Sequence, residues 1–355
     1  MTFPLSGVRV LEVPGGVASG FATKQLAGFG ADVVCAEGRS DLPPLSVDEM
    51  TYLTAGKRRV AADEVDLRAL ALAADIVVEE GTPGRLSTLG LNPPSLRRDK
   101  PSLVITSISP FGQTGPYAEY QSTNAVSFAA GGIMSLTGDF FRSPLVSGGS
   151  QAQYFGGLHA FAATASAYLG AVLQGEGDWL DISLQECAAG TTELYGPMTS
   201  YLGGDGLPRM GNQTRAEWGI YPCLDGYAGL FALQRQTPAL LAAMDDPELL
   251  APEWNDPVYR TQHAEELVAK MYVFTTGKTK AELLAIGRDK KVPIGVAVTP
   301  ADLLATPSLD ERDFWDDVEG MRIPGRSLAG LDWQPPDRLH APGEDTELVV
   351  KEWLS

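Results

Sequence analysis

A cluster of cations is the first feature of this sequence that could do recognisable chemistry. Lys57, Arg58 and Arg59 form the most basic cluster in the first hundred residues. A cation that meets a phosphate forms a charge-assisted hydrogen bond, which is stronger than a neutral one. The cluster therefore fits contact with a phosphorylated ligand. A solvated turn explains it equally well, because cationic turns are ordinary protein surface, and the sequence leaves both interpretations open.

The histidines and cysteines point away from metal or redox chemistry. None of the three histidines has another at ligand spacing, which a site built on imidazoles would need. Cys35, Cys187 and Cys223 are widely spaced and make no C-x-x-C pair. We interpret them as reduced, structural thiols. The sequence therefore predicts no metal site and no tightly bound cofactor.

The composition excludes some classes of partner. The chain has 355 residues, of which 44% are hydrophobic and 20% charged, as in a soluble globular protein. Its formal net charge of −18 argues against an extended nucleic-acid surface, which needs clustered lysine and arginine. We find no apolar run near the ~18 residues of a membrane span and no signal-peptide pattern. We expect a cytoplasmic protein without nucleic-acid or membrane partners.

The elements that must position these side chains begin with a strand, a helix and a strand. Val8–Val13 reads as an apolar strand, Ala18–Phe29 has helical spacing, and Asp32–Ala36 reads as a second strand. This spacing predicts a βαβ unit with parallel strands. The glycines after the first strand lack G-x-G-x-x-G spacing, so we do not predict a dinucleotide site. Further strands are predicted at 75–78, 103–109 and 179–184.

A long apolar run in the middle of the chain predicts a buried helix. Gln151–Gln174 contains no proline and is rich in alanine, leucine and aromatic residues, so we expect a helix that is apolar on nearly every side. Gly156 and Gly157 lie in its first turns. Because glycine destabilises a helix, the pair indicates that a ligand or another backbone comes close there. Gly175 is expected to end the helix.

Several motifs, in order along the chain, resemble the family III CoA-transferases, also called the CaiB/BaiF family. Pro110–Tyr117 is similar to the family's G-F-G-x-x-G-P-Y loop, and Ala129–Gly138 to its glycine-rich turn. Residues 144–190 are similar to its P-L-V-S, Gly-Gly, helix, G-x-G and x-D-x-S-L-Q-E segment, and Gly219–Tyr227 to its hairpin G-x-Y-P-x-x-D-G-Y. The family includes formyl-CoA transferases, carnitine-CoA transferases and α-methylacyl-CoA racemases. The resemblance covers essentially the whole chain.

The resemblance implies a fold and an assembly. The expected fold is α/β, with a large Rossmann-like domain built from both chain ends, 1–195 and 305–355. A linker at 196–220 and a smaller α+β domain at 221–304 would lie between them. The family's assembly is an interlocked dimer, in which each chain threads through a ring formed by the other.

The resemblance also implies site residues, with CoA or acyl-CoA as the ligand. The positions that match CoA-binding segments are Ala18, Leu53, Lys57, Arg58, Glu80 and Gly81. The loops expected around the substrate carry Phe111, Gly112, Gly131, Gly132 and Tyr154. Glu80 and Gly81 replace an asparagine and a phenylalanine of the family. A carboxylate cannot donate a hydrogen bond and repels a polyphosphate, and an aromatic face is lost, so we expect weaker CoA contacts.

The family's nucleophile is the aspartate of A-D-Y-x-x-G, and this chain has Gln153 at that position. In the family the aspartate attacks an acyl-CoA thioester and releases CoA from a mixed anhydride, and the thiolate then reloads onto an acceptor acid. An amide has no anionic oxygen, so Gln153 cannot take this step. Asp139 and Glu119 lie near the matching loops in the sequence, but a solvated loop charge is the simpler interpretation of each.

Racemisation is not expected either. The racemases of the family carry a His-Asp pair where this chain has Thr123 and Asn124. Neither of these side chains exchanges a proton near neutral pH. The resemblance therefore does not extend to racemase chemistry.

Three functions remain open on the sequence. In the first, the chain is the non-nucleophilic subunit of a heteromeric CoA-transferase whose other subunit carries the aspartate. In the second, it is an enzyme acting on an acyl-CoA or related acid without an aspartyl anhydride, with the Gln153 amide binding an oxyanion. In the third, it is a homodimeric binding or regulatory protein without turnover. The first accounts best for a retained fold with a lost nucleophile.

Overall fold

The computed structural model describes residues 3–13, 15–38, 45–192, 195–203, 209–326 and 328–355. It divides into two compact units, the first comprising 1–135, 146–206 and 307–355 and the second 136–145 and 207–306. The stretch 136–145, which we expected within the large domain 1–195, belongs to the second unit. Backbone contacts explain this, since Gly211 donates to the carbonyl of Gly138 at 3.2 Å.

The first unit is built on a six-stranded sheet in the order β3-β2-β1-β4-β5-β6, with every pair parallel. Its strands are β1 (Arg9–Val13), β2 (Asp32–Glu37), β3 (Arg58–Ala61), β4 (Ile76–Glu80), β5 (Val104–Ser109) and β6 (Trp179–Ser183). The strands predicted from the sequence are confirmed to within one or two residues at each end. The order is that of a doubly wound nucleotide-binding fold, which agrees with the expected α/β class.

Helices cover both faces of this sheet. They are α1 (Val17–Gly28), α2 (Val47–Thr54), α3 (Leu67–Ala73), α4 (Arg85–Thr88), α5 (Pro93–Asp99), α6 (Asn124–Ala130), α7 (Ile133–Leu136), α8 (Gln151–Gln174), α9 (Leu184–Gly190) and α10 (Tyr195–Leu202). The apolar side chains of α1 and α8 form a core on one face. Those of α3 and α5 form a core on the other. Parallel strands require this double cover, because neither face can meet water.

The last part of the chain returns to the first unit. It contributes α16 (Pro307–Asp310), a hairpin of β11 (Trp315–Val318) and β12 (Met321–Pro324), and α17 (Thr346–Trp353). Trp353 of α17 is buried in the core of the α3 and α5 face, and its indole nitrogen donates to Asp32 at 2.9 Å. Residues from both ends of the chain therefore contribute to one core.

The second unit is a four-stranded antiparallel sheet packed with helices, in the order β10-β9-β8-β7. Its elements are β7 (Gln213–Arg215), β8 (Trp218–Cys223), β9 (Gly226–Phe231), α11 (Thr237–Ala243), α12 (Pro257–Gln262), α13 (Ala264–Thr276), α14 (Lys280–Lys290), β10 (Ile294–Val296) and α15 (Pro300–Leu304), with two 3₁₀ helices, Pro247–Leu250 and Pro252–Asn255. The expected linker 196–220 therefore contains most of α10, all of β7 and the start of β8. Residues 204–208 of that linker lie outside the described residues.

Tight packing joins α1 to α8 in the first unit. A Cβ on Gly157 would lie 2.7 Å from the carbonyl oxygen of Ala18 and 3.1 Å from the Cβ of Phe21. A Cβ on Gly156 would lie 2.2 Å from a methyl carbon of Leu184. The prediction that another backbone comes close is confirmed for Gly157, which meets the backbone of α1, whereas the side chain of Leu184 lies against Gly156.

The helix α8 begins and ends where the sequence predicted, and Gly175 ends it in a left-handed conformation with φ of 78°. The expectation that it is buried all round is wrong for the single chain. Leu158, Leu169, Val172 and Leu173 are between 53% and 74% exposed. An apolar composition does not decide burial, because a partner protein can also cover such a face.

The expectation that no apolar run approaches the length of a membrane span is wrong for this helix. By length and composition, α8 alone among the helices of the described ranges could cross a membrane. A core helix of a soluble protein passes the same test, so the finding is weak evidence. The absence of a membrane partner stays a prediction.

We predict that Gly157→Ala destabilises the fold, because the added methyl group meets a backbone oxygen that cannot move away cheaply. The expected loss is about 1–3 kcal/mol in the free energy of unfolding, as for other overpacked sites. Urea denaturation followed by circular dichroism measures it.

Gly170→Ala provides the matched control in the same helix. No atom lies within 4 Å of the position that a Cβ would take there, so the substitution is expected to stabilise the helix by about 0.5–1 kcal/mol. Equal effects of the two substitutions would contradict the close contact between α1 and α8.

Candidate functional site

The first turn of α8 carries Gln153, and a side chain from another element caps it. The Asn124 carboxamide accepts a hydrogen bond from the backbone nitrogen of Ala152 at 2.8 Å and donates to the carbonyl of Gly149 at 2.9 Å. The adjacent Ser150 makes no side-chain cap. Asn124 therefore satisfies a helix-terminal donor that water or a ligand would otherwise meet, and it holds the start of α8 against α6.

Chain neighbours of Gln153 in the first turn of α8 make one polar and one aromatic contact. The hydroxyl of Ser150 donates to Glu49 of α2 at 3.3 Å. The ring of Tyr154 meets that of Phe21 edge-on, with centroids 5.1 Å apart. Burial raises the pKa of the Tyr154 phenol, and the carboxylate of Glu49 raises it further. Both act against the phenolate, so Tyr154 faces the site as a neutral hydrogen-bonding group.

The two loops expected around the substrate meet at one residue that the sequence did not single out. The backbone nitrogen of Gln185 donates to the carbonyl of Pro110, and its amide nitrogen donates to the carbonyl of Ala130, both at 3.0 Å. Gln185 therefore joins the loop of Phe111 to the turn of Gly131. The signal that could have found it is the S-L-Q-E motif at the start of α9.

Different structural requirements explain the glycines of these two loops. A Cβ on Gly131 would lie 2.5 Å from the Cβ of Ala188, so the turn packs directly on α9. Gly112 and Gly132 have φ of 90° and 87°, a region that favours glycine. The ring of Phe111 packs edge-on against Tyr117, with centroids 6.0 Å apart. A substrate role for these residues stays a prediction.

Neither of the carboxylates considered as replacement nucleophiles has the environment of an activated group. Glu119 is exposed. Asp139, in the second unit, is also exposed, and it accepts a hydrogen bond from the backbone of Phe141 at 2.8 Å. Both fit the simpler interpretation of a solvated loop charge.

Lys57 is fully buried, and protein groups surround its ammonium. The Nζ atom lies 2.7 Å from the carboxylate of Glu12, 2.6 Å from the hydroxyl of Thr23 and 2.9 Å from the carbonyl of Gly20. Three acceptors match the three donors of an ammonium. In the described state the charge of Lys57 therefore stabilises the interior of the fold, and its contact with CoA stays a prediction.

The other positions expected to bind CoA are also enclosed by protein. Ala18 and Leu53 are buried, and Gly81 is buried and donates to the carbonyl of Ile108 at 3.0 Å. The guanidinium of Arg58 bonds to Asp32 at 2.9 Å and to Glu352 at 2.6 Å. These contacts hold β3 to β2 and to α17.

Glu80 lies at the start of α1. Its carboxylate accepts a hydrogen bond from the backbone nitrogen of Ser19 at 2.8 Å, and it is 2% exposed. A Cβ on Gly16 would lie 2.7 Å from a carboxylate oxygen of Glu80, and one on Gly15 would lie 1.9 Å from its carbonyl oxygen. The two glycines therefore allow β4 to bring a carboxylate to the positive end of a helix.

Burial raises the pKa of Glu80 to about 7, while hydrogen bonds from Ser19 and Ala18 act in the opposite direction and Glu12 raises it further. Burial without these donors would raise the pKa of a carboxyl group still more, so the end of α1 offsets part of the cost of burial. The group therefore changes charge near neutral pH.

We predict that Glu80→Gln changes how stability depends on pH. The pKa of Glu80 is higher in the folded state than its ordinary value of 4.5, so its contribution to the free energy of unfolding is complete below pH 4.5 and is lost as pH rises through about 7. The amide keeps an oxygen for Ser19 and does not ionise. Relative to the wild type, the variant should gain up to about 3 kcal/mol between pH 5 and pH 8.

Denaturant unfolding at several pH values measures the gain, and Glu119→Gln serves as the control at an exposed carboxylate. Parallel stability curves for the wild type and Glu80→Gln would show that Glu80 does not titrate in this range.

No group of three or more histidine, cysteine, aspartate or glutamate side chains that could hold a metal ion occurs within the described ranges. The expected absence of a metal site stays a prediction.

The comparisons with known proteins agree with this fold. The sequence profile of CoA-transferase family III matches residues 5–335. A subunit of succinyl-CoA:(R)-benzylsuccinate CoA-transferase from Thauera aromatica is 30% identical in an alignment 393 residues long. The alignment covers 98% of this chain and 93% of the relative. A succinate–glutarate CoA-transferase from Agrobacterium fabrum is 29% identical, with coverage of 98% and 95%.

A solved structure extends the agreement to three dimensions. A CaiB/BaiF family protein from Brucella suis superposes with a TM-score of 0.84 at 28% identity, over 99% of this chain and 100% of that one. The profile match, the relatives and the shared parallel sheet lead to one conclusion. The chain belongs to CoA-transferase family III.

Proposed function

We propose that this chain is the non-nucleophilic subunit of a heteromeric CoA-transferase that acts on acyl-CoA and carboxylic acids. The observation that carries the proposal is the retention of the site's framework around Gln153. Asn124 caps α8, Gly157 sets its distance from α1, and Gln185 joins the loops, while the one position that must be an ionised carboxylate is an amide.

The buried carboxylate of Glu80 supports the loss of independent activity. It occupies the end of α1, beside segments that the family uses for CoA. A negative group there opposes a polyphosphate through like-charge repulsion. The proposal therefore assigns acyl transfer to a partner chain that carries the aspartate.

The exposed side of α8 supports a partner chain. Leu158, Leu169 and Leu173 follow one another at helical spacing along one face and are more than half exposed. Exposed apolar faces of this kind are typical of protein–protein interfaces. The T. aromatica relative is named as a subunit, which supports a heteromer. A homodimer, an interlocked arrangement and a cytoplasmic location stay predictions.

The first test is Gln153→Asp, which restores the nucleophile, against Gln153→Asn as a neutral control of the same size. The chain is incubated with succinyl-CoA and hydroxylamine, which converts an acylated aspartate into a stable hydroxamate that mass spectrometry locates. We expect no modification in the wild type or in Gln153→Asn, and a hydroxamate at position 153 in Gln153→Asp. If the wild type alone transfers CoA between succinate and another acid, the proposal is wrong.

The role of Glu80 is tested by combining Gln153→Asp with Glu80→Asn. A greater yield of hydroxamate in the double variant than in Gln153→Asp alone assigns the weakening to the Glu80 carboxylate. Calorimetric titration with CoA gives the same answer independently, because tighter binding after Glu80→Asn alone reports on the site without any chemistry.

The partner is tested by producing the chain together with an aspartate-bearing homologue. We expect a stable complex that transfers CoA, and we expect Leu169→Lys, at the centre of the exposed α8 face, to prevent its formation. Thr261→Lys, at an exposed site in the second unit, serves as the control. An active homologue that never associates with this chain would contradict the subunit role.

A further inference from the structure

The second unit holds a cavity of about 690 Å³ between the end of β7 and the helix α12 with the start of α13. Sites for small molecules in proteins typically measure about 300–1,000 Å³, so the cavity has the size of a ligand site. All of its lining residues belong to the second unit. They are therefore different from the residues around Gln153, which belongs to the first unit.

The charge of this lining is opposite in sign to that of the whole chain. The ionisable side chains that line the cavity are two arginines, Arg215 and Arg260, and one glutamate, Glu217. The chain as a whole has 45 acidic residues and 27 basic residues. An excess of positive charge in a concave surface attracts anions, so the lining favours an anionic ligand.

Arg260 and Glu217 form an ion pair in the wall of the cavity. The two residues are 6% and 7% exposed, and Nε of Arg260 donates to the carboxylate of Glu217. One terminal nitrogen of Arg260 donates to the carbonyl of Trp254 at 2.7 Å, and the other donates to the side chain of Gln234. All three nitrogens of Arg260 are therefore engaged, and its charge offsets that of Glu217.

Arg215 is the cation that the fold leaves available. It is exposed, and within the described ranges it forms no ion pair and donates no side-chain hydrogen bond. Its guanidinium carbon lies over the ring of Trp218, 5.1 Å from the centroid. Trp218 pairs in register with Arg215 on β7 and with Phe231 on β9, whose ring stacks on the indole with centroids 4.4 Å apart. The sheet therefore provides an aromatic support for the guanidinium.

This arrangement suits the recognition of a carboxylate. A guanidinium that lies over an aromatic ring keeps the hydrogens of its edge free, because the ring covers its face. That edge can form two parallel charge-assisted hydrogen bonds with a carboxylate. A phosphate dianion fits less well, since it would meet one available cation and would be repelled by the carboxylate of Glu217.

The rest of the lining suits an apolar group. Pro257, Val258 and Ala264 contribute apolar surface to the cavity, and Val258 is 60% exposed. An apolar ligand that covers such surface removes it from water, which favours binding. The cavity therefore combines one available cation with an apolar wall.

We propose that this cavity binds a small carboxylic acid with an apolar body. The carboxylate pairs with the edge of the Arg215 guanidinium, and the body lies against Pro257 and Val258 of α12. The chain thereby has a site for a carboxylic acid within the second unit. The proposal does not rest on the role proposed for Gln153.

The test is calorimetric titration of the full chain with acetate, benzoate, 2-naphthoate, benzamide and inorganic phosphate. We expect saturable binding of benzoate and tighter binding of 2-naphthoate, with acetate the weakest of the three acids, because the apolar area decreases in that order. Benzamide has the shape of benzoate but no charge. It should bind at least about tenfold more weakly than benzoate, since it loses the charge-assisted pair.

Three variants locate the binding. Arg215→Gln should weaken the binding of benzoate by at least about tenfold. Arg288→Gln, the same change at an exposed arginine of α14, should leave it unchanged. Val258→Ser should reduce the difference in affinity between 2-naphthoate and acetate, a change in selectivity that a purely structural role would not produce.

The comparison of ligands on the wild type needs no variant and remains decisive if a substitution impairs folding. Absence of saturable binding of both aromatic acids at millimolar concentration would overturn the proposal. Unchanged affinity for benzoate in folded Arg215→Gln would place the acid at another site and would overturn it too. Tighter binding of phosphate than of benzoate would contradict the assignment to carboxylic acids.

Discussion

The direct contact between the backbones of α1 and α8 is the constraint on which the first unit depends. Gly157 has no side chain because the carbonyl of Ala18 occupies the space where a Cβ would be. That contact places the first turn of α8, with Gln153, beside the start of α1. Two helices that pack this closely cannot easily shift relative to each other. The position of the first turn of α8 is therefore set by core packing rather than by flexible loops.

Buried charge is distributed around the same helix. The ammonium of Lys57 and the carboxylate of Glu12 pair beneath α1, while the carboxylate of Glu80 lies at its positive end. A buried ion pair is held by desolvated hydrogen bonds and tolerates the loss of either partner poorly. The hydrogen bonds described for the Glu80 carboxylate come from Ser19 and Ala18 and not from a cation. The interior of the unit is therefore sensitive to pH at the start of α1, where burial raises the pKa of Glu80 to about 7.

The family relationship and the site chemistry answer different questions. The fold is that of a CoA-transferase of family III, and the glycine-rich loops resemble those of the family. The resemblance predicts that the positions for attack on a thioester and for contact with CoA are changed at Gln153, Glu80 and Gly81. A fold can be kept by packing while its chemistry is lost through single substitutions, because packing depends on many contacts and nucleophilic catalysis on one group. This difference is the basis for a subunit role.

The sequence by itself was enough to predict the main elements of the first unit and, through the family resemblance, a candidate site position. Alternation and glycine placement were enough to predict β1, α1, β2 and both ends of α8, because these patterns depend on the backbone and on local burial. The prediction that Gln153 stands at the family's nucleophile position also needed no coordinates. By contrast, the sequence left the role of Lys57 open, because the local sequence around a lysine does not show whether its ammonium lies on the surface or in a buried ion pair, as it does here.

Only the tertiary structure decided which residues meet. Asn124 and Ala152, Pro110 and Gln185, and Glu79 and Ser107 are each far apart in the chain, and their contacts follow from sheet register and helix packing. The structure also showed that α8 keeps an exposed apolar face, which composition could not distinguish from a buried one. The physical reason is that local patterns record what each segment prefers, whereas contacts and burial depend on where the other segments pack.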